Sequence, residues 1–432
     1  MPEDTGTIHL VPADGQVVSP LDFAARFSAN LSGVELTFLE QTASLFGTEA
    51  EIPCALRAPW IAAGDSTGED ADRIAARPSG ARSALWVAEQ IQFKGCRPAP
   101  EAEDFPFEYL EFGGNRIIST RVPFGVMTAE AVSRELLGYC FCKAYGIPCA
   151  TTPVCVFEYA SGIAANRFCL VLKLTGGTRA EAFLGKKPLP VSELVSPPAD
   201  SAVFTGSEVA MEGLNTVWYA DQKGRWLAEL HFRGGFRGLL NNNVGNDIIQ
   251  PLTCGKHRFL LRDFDSFHLI SLPSAASREF LDSFAVQCVV EVVKGSLPIL
   301  DYVSTRTGED TQQVLRRIAA VYRRKSSLWN SYFRYARLKA RGLAWSDVEF
   351  VSATERAFES TAFLEASCSV ILSDFALERY RRRQPRPPRR AHRGGRRRPG
   401  GRSRPSRALS RRAGCTPRSP PPSPASPPGR GR

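Results

Sequence analysis

The sequence predicts an α+β protein with a smaller, mixed N-terminal lobe and a larger, mostly helical C-terminal lobe. Three observations predict this class. Strand-like apolar runs with one amphipathic helix between them occupy residues 83–185. A stretch rich in Ser, Pro and Gly follows at 186–207, which is typical of a loop. A second region, 208–380, contains a short apolar run and the strand-like stretch at 257–269, and becomes helical from about residue 274. Strands followed by helices, rather than a regular alternation of the two, favour α+β.

Residues 1–82 form a mixed segment without a single apolar period. Within it, the sequence "AAGDSTGEDADRIAARPSGA" (62–81) is rich in Gly, Asp and Ala and predicts an exposed loop. The run "SALWVAEQIQFKG" (83–95) then predicts a strand that ends at Lys94. An acidic insert with several Pro residues follows at 96–115.

Residues 128–146, "TAEAVSRELLGYCFCKAYG", predict the clearest helix of the chain. Thr128 is a suitable N-cap, because its hydroxyl can accept a hydrogen bond from a backbone N–H of the first turn. Glu130 complements the positive end of the helix dipole, and Gly146 before Pro148 predicts the end of the helix. The apolar stripe at helical spacing consists of Val132, Leu136, Tyr139, Cys140 and Ala144.

Strand-like runs follow this helix in both halves of the chain. The sequences "TTPVCVFEYA" (151–160) and "RFCLVLKLTGG" (167–177) predict two strands. Further on, the polar "NNNVGND" (241–247) precedes "HRFLLRDFDSFHL" (257–269), in which Asp263 and Asp265 come directly after a strand-like run. Carboxylates at a strand end are either turn residues or ligands of a positive group, and the run alone leaves both roles open.

Residues 381–432 predict a disordered tail rich in Arg and Pro. The tail holds 18 Arg and 12 Pro but no Lys, Asp or Glu, and little apolar surface to offset the entropy of ordering. The tail therefore carries a formal charge of +18. Because the net charge of the whole chain is +11, residues 1–380 carry −7. The functional interpretation is a polybasic arm for nucleic acid, anionic lipid or an acidic partner. The alternatives are an ordinary disordered extension and GC-rich coding sequence read out of frame.

Cysteine usage predicts a reduced, intracellular, soluble protein, and hence a cytoplasmic location. Eleven Cys are spread over the chain, the N-terminus is acidic and has no apolar leader, and no apolar run is long enough for a membrane span. Cys140 and Cys142 form a C-x-C pair within the predicted helix. Because no second Cys or His pair stands at metal-ligand spacing, they are predicted to be core thiols.

Four features in chain order predict a site for a nucleotide. Lys94 ends a strand, Glu135 lies on the inward face of a helix, an Asn/Asp-rich loop follows at 241–247, and Asp263 ends a later strand. This order fits the ATP site of a protein-kinase-like two-lobed fold, with 83–185 as the nucleotide-binding region and 208–380 as the metal-binding and helical region. There the Lys binds phosphate oxygens, the Glu orients the Lys, and the loop Asn and the last Asp bind Mg²⁺. Each feature alone is common, and only their order and spacing carry the prediction.

The chemistry of a polyphosphate explains why these residue types are needed together. A polyphosphate is bound by a fixed ammonium group, and a buried ammonium needs a carboxylate partner to hold its position. Mg²⁺ prefers hard oxygen ligands, which one or two carboxylates and an amide oxygen supply. Glu135 lies three residues after Val132 and four before Tyr139, so it shares their inward face and requires a partner there.

Three blocks of the sequence resemble the selenoprotein O family, which are kinase-fold enzymes that transfer AMP from ATP to protein hydroxyls. The blocks are "QIQFKGCRPAP" (90–100), "SRELLGYCFCKAYGIPCATTPVCVF" (133–157) and the two motifs "GFRGLLNNNVGND" and "LLRDFDSF" within 235–267. The family shows a strand ending in Lys-Gly-x-Gly-x-x-Pro, an Arg-Glu helix closing on Gly-Ile-Pro, and an Asp-Tyr-Gly-Pro-Phe magnesium segment. The middle block is the most specific of the three.

The resemblance implies roles at the matching positions only. Lys94 would bind phosphate, Glu135 would pair with it, and Asp263 would bind Mg²⁺. Arg179, in "LKLTGGTRAEAF", stands roughly where the family uses an Arg for phosphate. The implied cofactors are ATP and Mg²⁺, and the implied partner is a protein substrate of unknown identity.

The chain departs from the family in the loop before the last motif. The family has His-Gly where this chain has Arg237-Gly238, and its Thr-Asp-Asn has no gapless match. Counting straight from Gly238 places Asn243 and Val244 there, whereas a shift to "GND" places Asn246 and Asp247 there. We favour the shift, because the apolar residues after Asp247 lead into a strand. Asn246 is then predicted to be a metal ligand, and Asp247 the catalytic base or a second metal ligand.

Other functions remain open on the sequence. The chain is alternatively a catalytically inactive pseudokinase or a small-molecule phosphotransferase. Many such phosphotransferases carry a catalytic Asp five residues before the loop Asn, and Asn241 occupies that position here and cannot accept a proton. This difference argues against ordinary phosphotransfer.

A further alternative is a non-catalytic nucleic-acid-binding protein that acts through 311–341 and the tail. That segment carries nine Lys or Arg, no acid, and four aromatic residues among them, a composition that suits phosphate contact and base stacking. The competing interpretation is an amphipathic helix pair with a basic solvent face, and we favour it. The aromatic residues are Trp329, Tyr332, Phe333 and Tyr335.

Overall fold

An eight-stranded antiparallel sheet forms the first half of the structure, and its strand order is β2-β9-β10-β6-β5-β4-β1-β3. The computed structural model describes residues 7–46, 56, 60–63, 73–79, 83–97, 105–111, 116–122, 125–160, 166–184, 214–238, 242, 244–253, 256–296 and 327–359. All of them belong to one compact unit, Met1–Arg383. The predicted tail, 381–432, lies outside the described residues.

Fifteen strands are described. They are β1 (Ile8–Pro12), β2 (Gly15–Val18), β3 (Trp60–Ala63), β4 (Ile74–Pro78), β5 (Ser83–Trp86), β6 (Ile91–Lys94), β7 (Phe105–Glu111), β8 (Arg116–Val122), β9 (Thr151–Tyr159), β10 (Phe168–Leu174), β11 (Thr178–Arg179), β12 (Gly235–Phe236), β13 (Asp247–Pro251), β14 (His257–Leu261) and β15 (His268–Leu269). Outside the large sheet, β7 pairs with β8, β12 with β15, and β11, β13 and β14 form a three-stranded sheet.

Eight α-helices are described. They are α1 (Pro20–Phe27), α2 (Gly33–Thr42), α3 (Ala129–Ala144), α4 (Ala180–Leu184), α5 (Leu214–His231), α6 (Arg278–Ser296), α7 (Ser327–Gly342) and α8 (Asp347–Glu359). A 3-10 turn, Val244–Asn246, leads into β13. Mixed helices and antiparallel sheets confirm the predicted α+β class. No helix among the described residues combines the length and the apolar character needed to cross a lipid bilayer.

Local sequence signals explain where α3 begins and ends. The Thr128 side chain accepts from Ala131 N at 3.1 Å, so the predicted N-cap is confirmed. Gly146 has a φ of +64°, the left-handed conformation that ends many helices and that Gly adopts at low cost. Between these residues, the helix buries Cys140 and Cys142, which confirms that they are core thiols, and burial raises the pKa of Cys140 to about 12.

The large sheet is apolar on both faces. Along β9, Val156 faces the cluster that contains α3, whereas its neighbours Cys155 and Phe157 belong to a second apolar cluster on the other face. In β10, Leu170 and Val171 alternate in the same way. Burial on both faces accounts for the near-continuous apolar runs that predicted these two strands.

Two predictions for the first 95 residues are wrong in detail. The segment 62–81 is not a loop throughout, because β3 reaches Ala63 and β4 begins at Ile74, where a buried residue alternates with an exposed one. The run 83–95 is not one strand but the hairpin β5–β6. Its turn places Gln90 at a φ of +53° without a glycine, so no turn signal marked it in the sequence.

Candidate functional site

Lys94 lies at the end of β6, where all four residues of the strand are buried. Its Nζ lies 2.7 Å from Oε2 of Glu135 and 3.4 Å from Oδ2 of Asp265, and it also forms an ion pair with Asp263. The Lys94 residue is only 4% exposed, so its charge needs these carboxylates as compensation. The structure thus brings three predicted site residues into contact, namely Lys94, Glu135 and Asp263.

Glu135 links the sheet to the segment that follows β14. Its Oε2 accepts from Lys94 and also from the backbone N–H of Phe264 at 2.8 Å. Both partners are far away in sequence, at separations of 41 and 129 residues. A single carboxylate oxygen on α3 therefore fixes the strand lysine relative to the segment that carries Asp263.

Gly138 creates the space in which Phe264 packs. One turn along α3 from Glu135, a Cβ added to Gly138 would lie 2.5 Å from the Cβ and Cγ of Phe264, whose ring is fully buried. Only a residue without a side chain leaves room for this ring. The close approach explains the glycine within a helix, where it otherwise lowers stability.

We expect Gly138→Ala to destabilise the protein by about 1 to 3 kcal/mol, because the added methyl group overpacks the Phe264 contact. This loss should outweigh the better helix propensity of Ala. The matched control is Gly33→Ala at the start of α2, where nothing lies within 4 Å of the added Cβ, and it should change stability by less than about 0.5 kcal/mol. Urea unfolding measures both, and equal stability of the two variants would contradict the packing.

The acidic cluster, Glu135, Asp263 and Asp265, has the composition of a cation site. One oxygen from each residue lies within 4.8 Å of the others. Three carboxylates face the single ammonium of Lys94, so the group has an excess of negative charge. In addition, Oε1 of Glu135 is buried without a hydrogen-bond partner in the described part of the chain. Hard carboxylate oxygens are what Mg²⁺ prefers, so these residues fit the predicted ion.

The backbone of Asp263 is unusual. Its φ of +73° is in the left-handed region, which few residues other than Gly adopt, although Asp is tolerated better than most. Such a conformation persists only where neighbouring contacts hold it. The Phe264 N–H bond to Glu135 supplies one of these contacts, on the residue directly after Asp263.

Arg262 lies beside the acidic cluster, and Arg179 contacts the turn before β13. Arg262 Nη2 donates to Gln92 Oε1 at 2.8 Å, two residues before Lys94 on β6. Burial and the nearby positive charge of Arg179 lower the pKa of Arg262, so the two guanidinium groups are neighbours. Arg179 itself donates to the backbone oxygen of Gly245 at 3.3 Å. The phosphate-binding role of Arg179 stays a prediction.

Asp247 lies outside the acidic cluster, in a second group that we call the Arg237 cluster: Arg237, Asp247, Lys223 and Tyr219. One carboxylate oxygen of Asp247 accepts from Tyr219 Oη at 2.6 Å and from Lys223 Nζ at 2.8 Å. The other oxygen pairs with Arg237 Nη1. Arg237 also donates to the backbone oxygens of Asn246, at 2.8 Å, and of Arg262.

Burial and charge set the protonation of the Arg237 cluster. Although burial opposes ionisation, the charges of Arg237 and Lys223 hold the pKa of Asp247 below its ordinary value. Burial lowers the pKa of Lys223, and the attraction of Asp247 offsets only part of that effect. One local signal for this cluster is present in the sequence, since Tyr219 and Lys223 are four residues apart on α5 and share a face. The role of Asp247 as a catalytic base stays a prediction.

A third buried group, which the sequence analysis missed, binds Gly238 and Asn242 after β12. Glu291 on α6 accepts from the backbone N–H of Gly238 at 2.7 Å, and its other oxygen lies 2.9 Å from Nε2 of His231. His231 Nδ1 lies 2.7 Å from Tyr332 Oη, and Asn242 donates to the backbone oxygen of Glu291. Although burial opposes ionisation, the hydrogen bond with His231 lowers the pKa of Glu291. The only sequence signal for this group is Glu291, a single acid within the apolar run of α6.

The aromatic residues of α7 are not arranged to stack on nucleic-acid bases. Trp329, Tyr332 and Phe333 are buried in the apolar cluster that includes α5 and α6. The helix is amphipathic, as the favoured interpretation predicted for its part of 311–341, and residues 311–326 lie outside the described structure. The prediction of base stacking by these three rings is therefore wrong.

The basic residues of α7 are largely neutralised by acids. Their ion pairs are Arg334 with Asp221, Lys339 with Glu229 and Arg341 with Asp347. Basic side chains that are already paired with acids are less available to neutralise phosphates and release counterions from a nucleic acid. The described part of the segment therefore does not favour a nucleic-acid surface.

Comparison with known proteins does not assign the chain to a family. No protein-family model matches it, and no curated protein matches it. A solved structure titled "WaaP in complex with acyl carrier protein" matches over 52% of this chain and 74% of its own chain, with 14% identity and a TM-score of 0.26. At this TM-score the likeness adds nothing to the description of the site, which depends on the contacts above.

Proposed function

We propose that this chain is a transferase with a two-lobed, protein-kinase-like fold that binds ATP with Mg²⁺ and transfers AMP to a protein hydroxyl. One observation carries the nucleotide site: the buried Lys94 ammonium lies between Glu135 on α3 and Asp263 after β14. These contacts join a strand lysine, a helix glutamate and a strand-end aspartate in the order that a kinase-like site requires.

Each residue of the site has a distinct task in this proposal. Lys94 contacts phosphate oxygens, and Glu135 holds its ammonium in place. Arg179 adds positive charge for the phosphates. Asp263, with Asp265 beside it, provides the carboxylates that hold Mg²⁺, and Asn246 is the predicted amide ligand. Mg²⁺, when bound, would neutralise phosphate charge. The protein hydroxyl oxygen would bond to the α-phosphorus of ATP as the bond to the bridging oxygen breaks, and pyrophosphate would leave.

The choice of adenylyl transfer over phosphoryl transfer is supported by the resemblance and by the loop. Asn241 occupies the position of the usual catalytic Asp and cannot accept a proton. Asp247, the predicted base for the hydroxyl proton in either reaction, accepts from three donors and its pKa is lowered, so it does not decide between the two reactions. The resembled family also lacks the usual Asp and transfers AMP.

A thermal shift with Mg-ATP tests the nucleotide site. We expect Mg-ATP to raise the melting temperature of the wild type, because a ligand that binds only the folded state stabilises it. Lys94→Ala and Asp263→Ala should lose most of the shift, whereas Lys173→Ala, near the exposed end of β10, should retain it. A wild type that does not respond would rule out the nucleotide site.

Labelled ATP distinguishes the reaction classes. Incorporation of label from the α-phosphate into protein would support AMP transfer, and incorporation from the γ-phosphate would contradict it in favour of phosphoryl transfer. ATP binding without incorporation of either label is the outcome expected of a pseudokinase.

A further inference from the structure

Arg237 is a fully buried guanidinium group in the loop that follows β12. A buried charge is costly unless ion pairing and hydrogen bonds compensate it. Its position corresponds to the His of the resembled His-Gly motif, so the sequence alone assigns it no task. The contacts of its two Nη atoms suggest a structural role for Arg237.

The two Nη atoms of Arg237 reach two neighbouring strands. Nη1 pairs with the carboxylate of Asp247, at the start of β13, and Nη2 donates to the backbone oxygens of Asn246 and Arg262. Strands β13 and β14 are paired with Asp247 opposite Leu261, so these atoms lie side by side at one end of the sheet. The rigid, planar donor set of an Arg suits such a double contact, which a Lys ammonium cannot reproduce.

The contact with Arg262 bears directly on Asp263. The Arg262 oxygen belongs to the peptide group that joins Arg262 to Asp263, and a fixed peptide plane restricts the φ of the next residue. Asp263 has the left-handed φ of +73°, which needs support from its surroundings. Arg237 holds the peptide before Asp263, and Glu135 holds the N–H of Phe264 after it.

We propose that Arg237 is a positioning residue that fixes the Asp263 carboxylate in the acidic cluster, with Asp247 as its counter-ion. The metal-related part of this proposal rests on the proposed function, in which Asp263 holds Mg²⁺. Asp247 also accepts from Tyr219 and Lys223 on α5, so its carboxylate stays paired with Arg237 when the Tyr219 hydroxyl is removed. Outer contacts of this kind orient the groups that touch a metal.

Hydrogen exchange of the Phe264 amide in the full chain tests the positioning role without metal or nucleotide. Arg237→Lys keeps the buried charge that Asp247 requires but cannot hold both strands. We expect it to raise Phe264 exchange at least about tenfold relative to the amide of Val156, in the centre of the large sheet. Tyr219→Phe removes the hydrogen bonds of the hydroxyl with Asp247 and Lys223 but leaves the ion pair of Arg237 intact, so it should not change that ratio. Arg237→Gln serves as a second variant.

Binding of Mn²⁺, followed by its electron paramagnetic resonance signal, separates this proposal from the proposed function. We expect Arg237→Lys to weaken Mn²⁺ binding by about 10- to 100-fold and Tyr219→Phe to weaken it less than about threefold. Unchanged Phe264 exchange in both Arg237 variants would overturn the positioning role. If the wild type binds no Mn²⁺ while the exchange responds as expected, the metal role of Asp263 fails and the positioning of its segment stands.

Discussion

Replacing Asp247 by Asn is expected to destabilise the folded protein by about 3 to 5 kcal/mol, because it leaves Arg237 and Lys223 buried without an anion. Asp247, Arg237 and Lys223 are all completely buried, so water cannot replace the lost charge. Since small proteins have only about 5 to 15 kcal/mol of total stability, a loss of this size would be evident in urea unfolding. The expected result is a lower midpoint with an unchanged slope.

The stability of the wild type and of Asp247→Asn should depend differently on pH. The folded-state pKa of Asp247 lies below its unfolded value, so its contribution to stability is present above the unfolded pKa, about 3.9, and is lost as pH falls below it. Asp247→Asn should lack that part of the acid dependence. The variant should also recover some stability in alkaline solution, because the pKa of Lys223 is already lowered and the folded protein tolerates its neutral form.

Two further variants show whether the charge is responsible. Tyr219→Phe removes a hydrogen bond to Asp247 and one from Lys223 but leaves the ion pairs intact, so it should cost only about 2 kcal/mol. Lys223→Met combined with Asp247→Asn should be more stable than Asp247→Asn alone, because one of the two unpaired cations is gone. An Asp247→Asn variant as stable as the wild type would show that Asp247 is not the counter-ion of the Arg237 cluster.

The elements predicted most closely are those whose signals are local. Thr128 and Gly146 mark the two ends of α3 within its own sequence, and the structure uses both as the sequence predicts. By contrast, the turn between β5 and β6 depends on a positive φ at Gln90, a residue without turn preference. Strand β4 was missed because its alternation covers only five residues between stretches of loop composition.

The site residues also differ in how well the sequence predicts their contacts. Lys94, Glu135 and Asp263 were predicted as a group because their order follows a known arrangement, and the structure brings them into contact. The surroundings of Asp247 were not predictable, since Asp247 begins β13 whereas Lys223 lies 24 residues away on helix α5. A carboxylate at a strand start looks the same in sequence whether it faces solvent, a substrate or two buried cations.

Lys94→Met is expected to affect bare metal and nucleotide in opposite directions. In the wild type the ammonium occupies the acidic cluster, 3.4 Å from Asp265 and in ion pairs with Glu135 and Asp263. Unit charges about 4 Å apart interact by about 4 kcal/mol at an effective dielectric constant near 20, so removal of Lys94 relieves a large repulsion of a bound cation. Even after partial screening, bare Mn²⁺ should bind at least about tenfold more tightly.

Nucleotide binding should fall in the same variant. A hydrogen bond from a charged donor to phosphate contributes about 1.5 to 3 kcal/mol, so Mn-ATP should bind about 10- to 100-fold more weakly without the ammonium group. Calorimetric titration of each ligand measures both effects, and Lys173→Met is the matched control, since it removes an exposed Lys from the neighbouring strand. Weaker binding of both ligands would mean that Lys94 only supports the fold, and tighter binding of both would place the phosphates elsewhere. Opposite changes require the ammonium to lie between a cation site and an anion site, which is the arrangement that the contacts of Lys94 predict.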